Sequence, residues 1–170
     1  MQAWRDYYQL TGGIAATLLG LLFVSISLNA DTILGPGHEY SRRLAEQAFQ
    51  NYMAVLVISL LVFFPGIGTA DFGLVVGSIS MIWAAWLLTR LYRALVSVPP
   101  VEGRFRVLRR YVPTLAGFGT LAWAGWRIAI GENTHQGVVA GAIMLLLIAA
   151  TGVAWMLLVN IAGEKFAARK

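Results

Sequence analysis

The sequence predicts an all-α fold, a polytopic transmembrane helical bundle of five transmembrane helices with its N-terminus outside and its C-terminus cytoplasmic. Three observations carry the prediction. Of 170 residues, 58% are hydrophobic and only 12% are charged, against roughly 25% charged in an ordinary soluble domain. The apolar residues fall into five runs, each near the ~20 residues of helix that cross about 30 Å of hydrocarbon. The basic residues gather in alternate connections between those runs, as orienting charges do.

The first run, residues 9–30, carries no charge. It is longer than a typical leader core, and Leu28-Asn29-Ala30 puts a large residue where signal cleavage wants a small one, so it is read as a retained span. The second, residues 47–66, lies between Glu46 and Asp71 and should stop at Pro65-Gly66. The third covers 71–91 and ends around Arg90, the fourth 111–131, and the fifth 136–162. Together they make one membrane domain over 1–170, with a basic cytoplasmic loop at 92–110. Arg127 sits inside the fourth run. An arginine at mid-bilayer costs about 2.5–3.5 kcal/mol on insertion scales. Two readings stay open: its long stem carries the guanidinium out to the headgroups, or it is a buried cation that binds an anion or pairs with another helix.

With five spans, one side of the membrane holds Arg42, Arg43, Arg90, Arg93, Arg104, Arg106, Arg109, Arg110, Lys165, Arg169 and Lys170. The other holds only Arg5 and Arg127. The net charge of +5 is therefore read as a topology signal, not a nucleic-acid surface. Trp4, Tyr7 and Tyr8 precede the first span, Trp83 and Trp86 lie in the cytoplasmic half of the third, Trp123 and Trp126 in the outer half of the fourth, and Trp155 in the inner half of the fifth; amphipathic rings favour the interface.

The connections are short. Glu39, Arg42, Arg43 and Glu46 stand at three- and four-residue spacing, which pairs them along a helix running into the second span. They are read as a solvated helix end or as a collar at a cytoplasmic mouth. Arg104, Arg106, Arg109 and Arg110 alternate with apolar residues ahead of Pro113, the pattern of a short amphipathic piece on anionic headgroups. They are candidate lipid contacts, or orientation signals alone.

Absences narrow the chemistry. With no cysteine, disulfides, thiolate metal sites and thiol nucleophiles are excluded. Asp, Glu, Lys and His are missing from every span centre, and His38 and His135 fall in connections on opposite faces. That leaves no intramembrane base for hydrolysis, no carboxylate for proton coupling, and no histidine pair for a metalloprotease. No catalytic, metal or cofactor-binding residue is expected, and few buried polar groups are expected to form a private cavity. Small residues recur at helical spacing instead: Gly12, Ala16 and Gly20 with Gly13 and Thr17, then Gly73 and Gly77, Ala116, Thr120 and Ala124, and Gly137 and Gly141. Such stripes pack helices closely, within one subunit or between copies.

The stretch Gly13-Ile-Ala-Ala-Thr-Leu-Leu-Gly-Leu-Leu-Phe-Val-Ser-Ile-Ser-Leu-Asn29 resembles the opening helix of uncharacterised small bacterial polytopic membrane proteins. The resemblance implies residence in the bacterial inner membrane and brings no activity or site with it. The expected function is non-enzymatic: a homo-oligomer enclosing a passive ion or small-solute pathway. Ser25, Ser27, Asn29 and Asp31 are candidate pore lining, and Glu39 and Glu46 candidate mouth residues. The competing reading is a scaffold or accessory subunit docking another membrane protein. Expected partners are membrane lipid and further copies, with no nucleic acid.

Overall fold

The computed structural model describes residues 4–35, 38–97 and 102–167, with side chains except at 32, 34, 94, 97, 102–106, 133 and 164–167. Six α-helices follow one another: α1 (Arg5–Leu28), α2 (Ala30–Leu34), α3 (Glu39–Leu61), α4 (Thr69–Ser97), α5 (Glu102–Ala129) and α6 (Gln136–Ala167). A 3-10 turn, Asn133–His135, leads into α6. Among the described residues there is no strand. The shortest of the long helices, α3, has 23 residues, or about 35 Å at 1.5 Å per residue, enough for a hydrocarbon layer of ~30 Å. Helices α1, α3, α4 and α6 are long and apolar enough to cross a membrane, and the protein is a helical membrane bundle. Helix α5 is as long but less apolar, because five arginines, Pro113, four glycines and two threonines interrupt its greasy residues.

The long helices overrun the apolar runs that announce them. Residues 92–110, expected as a loop, are largely helical, since α4 continues to Ser97 and α5 starts at Glu102. Arginine and leucine are good helix formers, so the basic stretch is continuous with the helix that follows. Pro113 accordingly lies inside α5 rather than at its start. There it has no amide to donate to the Arg109 carbonyl. At the other end of α5 the chain turns on Gly131, whose φ of +99° suits a residue without a Cβ. Its amide donates to the Ile128 carbonyl at 3.0 Å, and the Glu132 amide to the Arg127 carbonyl at 3.0 Å.

Packing runs in the order α1, α3, α6, α5, α4. The tightest seam joins α4 to α5. Gly73 and Gly77 of α4 lie against the Gly125, Trp126 and Ala129 backbone of α5, so closely that a Cβ on Gly73 would fall 2.6 Å from the Ala129 nitrogen. That glycine stripe packs within one subunit. Gly12 of α1 does the same against Ser59 of α3, while Gly13, Gly20 and Gly141 have open space where a Cβ would stand. At the end away from the arginine cluster, Trp4, Tyr7, Tyr8 and Phe72 meet edge to face and close the bundle. The Tyr7 hydroxyl donates to the Ala140 carbonyl at 2.7 Å. At the basic end, α2 is held down by Ile33, which is fully buried beside Leu44, Ala48 and Leu157.

Candidate functional site

Helix α3 is the hub. Its run EYSRRLAEQAFQNYMAVLVISLL puts Ser41, Gln47, Asn51 and Ser59 on buried faces. Away from water, a polar side chain must find a protein partner or lose a hydrogen bond outright. Each of these four finds one on a different helix. Ser59 meets Thr11 of α1 with 3.4 Å between hydroxyls. Ser41 accepts from the Asn160 amide of α6 at 2.7 Å. Gln47 Nε2 and Asn51 Nδ2 both donate to the Thr114 hydroxyl of α5, at 3.3 and 3.2 Å. The Tyr52 hydroxyl adds a bond of 3.1 Å to Thr151 of α6.

One turn nearer the basic end the network becomes charged. Arg110 of α5 donates its Nε to Gln47 Oε1 at 2.6 Å. Its guanidinium lies 5.3 Å from the Tyr111 ring centre and 5.6 Å from that of Tyr40, within the range of a cation–π contact. Its Nη2 is buried without a hydrogen-bond partner. Burial holds the Arg110 pKa below the usual guanidinium value. On the adjacent face, Glu46 lies between two arginines, with Arg42 Nε at 3.1 Å and Arg90 Nη1 of α4 at 3.1 Å. Arg90 is itself stacked 3.9 Å over the Trp86 ring.

The residues singled out from the sequence separate into two groups. Glu46 and Arg110 join this network. Glu39 pairs with Arg43 at 3.1 Å and stays exposed, as helical spacing predicts. Arg109 is exposed on α5, and the side chains of Arg104 and Arg106 lie outside those described. On α1, Ser25 and Asn29 are half-buried, and the Asn29 amide folds back to the Ser25 carbonyl at 2.8 Å. Ser27 and Asp31 are exposed. Arg127 pairs with Glu132 at 2.7 Å and is 40% exposed, so its carboxylate partner comes from the following connection.

Sequence reasoning missed Gln47, Asn51 and Thr114, and its expectation of few buried polar groups is corrected by seven among the described residues. A signal was present. Gln47 and Asn51 stand four residues apart at the mouth of an apolar run, a spacing that puts two amides on one face.

Beside the network lies an open groove of about 220 Å³, walled by Ile26 of α1, Ile33 of α2, and Ala45 and Phe49 of α3, with Arg42, Glu46 and Gln50 at its rim. Chemically, the basic end offers guanidinium donors, two amides and a hydroxyl. Among the described residues no three His, Asp or Glu gather as a metal site would require. Compared with known proteins, the chain matches no family model, no curated protein and no solved structure.

Proposed function

We propose that all five long helices cross the bacterial inner membrane, N-terminus outside and C-terminus cytoplasmic. We propose further that the protein acts non-enzymatically as a homo-oligomer whose α1 helices surround a passive ion or small-solute pathway. The observation that carries this reading is the division of α1 into two faces. Tyr8, Thr11, Gly12, Ala15 and Leu22 are buried inside the subunit. Gly13, Ala16, Thr17, Gly20 and Ser27 are exposed, with nothing within 4 Å of a Cβ at Gly13 or Gly20. Steps of three, four and seven residues line these up along one side of the helix. In lipid, small exposed residues let a second backbone approach, and symmetry then brings Ser27 and Asp31 of several copies around one axis. The polar side chains of α3 are spent on bonds inside the subunit, which leaves α1 as the face to share.

Support for the fifth crossing comes from α5 itself. It lies between α4 and α6, and its contact with α4 reaches as far as Gly125 and Ala129.

Mass photometry in detergent and ion release from proteoliposomes test the reading. The wild type should be oligomeric and leaky. Gly20→Leu, which meets open space in the single subunit, should lower the oligomer fraction, and Asn29→Leu should change the leak. A monomeric wild type, or a leak that neither variant alters, contradicts it. A second reading, a scaffold or accessory subunit, is favoured by the exposed Arg43–Glu39 pair and Arg109 at the same end. It predicts a monomer that co-purifies with another membrane protein.

A further inference from the structure

We propose that the groove between the α1–α2 elbow and α3 holds one anionic phospholipid, its phosphate on Arg42 and an acyl chain along Ile26, Ile33, Ala45 and Phe49. The lining surface is apolar, and two of the residues that contribute to it, Arg42 and Glu46, also carry partly exposed charged ends, the combination an amphiphile requires. The groove sits where α3 passes from its charged turns, Glu39 to Glu46, into its apolar length. That is the height at which a headgroup gives way to its chain. Its volume of about 220 Å³ is below the ~300 Å³ at which enclosed small-molecule sites begin. Being open along one side, it suits a chain lying in it better than a compact solute closed within it.

Charge decides the headgroup. The Glu46 carboxylate faces two guanidinium groups, Arg42 in the groove's lining and Arg90 behind it, each at 3.1 Å, so the cluster of three keeps one positive charge. Arg42 uses its Nε for Glu46 and has 64% of its side chain exposed. The rest of its planar fork suits paired phosphate oxygens. Arg90 is pinned between Glu46 and Trp86 and holds the carboxylate in place when Arg42 turns toward a phosphate. The acidic residue of α2, Asp31, does not line the groove.

Native mass spectrometry of the full chain, delipidated in detergent and offered equal amounts of dioleoyl phosphatidylglycerol and dioleoyl phosphatidylcholine, tests the proposal. The wild type should retain phosphatidylglycerol preferentially. Arg42→Gln should lower that retention about fivefold, the effect of one arginine beside an anionic headgroup, without changing phosphatidylcholine. Arg43→Gln is the matched control. It is comparably exposed and bonded to Glu39, it lies outside the groove, and it should behave as wild type. Equal loss in the two variants would mean diffuse surface charge and overturn the site. Equal retention of both lipids would remove the headgroup assignment. Displacement of phosphatidylglycerol by an equal concentration of glycerol 1-phosphate would remove the acyl chain and sink the proposal.

Discussion

Replacing Gly73 by alanine adds one methyl group at the point where two helix backbones touch. The new Cβ would lie 2.6 Å from the Ala129 nitrogen, 2.7 Å from the Gly125 oxygen and 3.0 Å from the Ile128 Cβ. Ordinary contact begins at 3.4 Å, so the seam must open by 3.4 − 2.6 = 0.8 Å at that point. Two of the three neighbours are backbone atoms and cannot rotate away. Overpacking of this kind costs about 1–3 kcal/mol, of which Gly→Ala inside a helix returns about 0.5–1 kcal/mol through chain entropy. A net loss of about 1–2 kcal/mol is expected, or several degrees in melting temperature for a chain of this size. Gly125→Ala should match it, since its Cβ would meet Gly77 and Gly73 backbone at 2.6 to 2.8 Å. Gly117→Ala should cost less, because the atoms in its way belong to the Leu146 side chain. Gly20→Ala, in open space within the subunit, should be neutral or slightly stabilising for the fold of the single subunit. Unfolding titrations in mixed detergent micelles, followed by helical circular dichroism, give the order directly. If Gly73→Ala and Gly125→Ala unfold together with Gly20→Ala, α4 and α5 do not meet backbone to backbone.

Three further outcomes follow from the polar contacts. Thr114→Val removes the oxygen that accepts from both Gln47 and Asn51 and should cost about 1–2 kcal/mol in the same titration, with Thr114→Ser restoring most of it. Ser41→Ala should destabilise less, because one hydrogen bond to Asn160 is lost and such interhelical bonds average about 0.6 kcal/mol. Arg127→Gln breaks a pair that is 40% and 39% exposed, so the change should stay below about 1 kcal/mol and shrink further in high salt.

The helices were legible because a span must be long and apolar, and the i,i+4 pairs Arg42–Glu46 and Arg43–Glu39 because helical spacing alone brings such groups together. What faced what was not. In a soluble protein the buried face is the apolar one, but here the exposed side of α6, with Met144, Ile148 and Trp155, is as greasy as the buried side with Ile143, Leu146 and Val153. Periodicity therefore cannot say which glycines pack. Gly73 and Gly77 touch α5 while Gly13 and Gly20 touch nothing, although both pairs have small-residue spacing. The amides of Gln47 and Asn51 were visible as residues, but their shared partner stands more than 60 positions away on another helix. Pro113 misled in the opposite direction. A proline usually opens or breaks a helix, yet here it is accommodated inside α5.

The central claim is that α5 crosses the membrane and so places its two ends on opposite sides. The chain contains no cysteine, so single replacements report cleanly to an impermeant maleimide on intact cells. Thr134 and Arg109 are both exposed and stand beyond opposite ends of the apolar part of α5. Thr134→Cys should label from outside, and Arg109→Cys only after the membrane is opened. Labelling of both from the same side would contradict the fifth crossing.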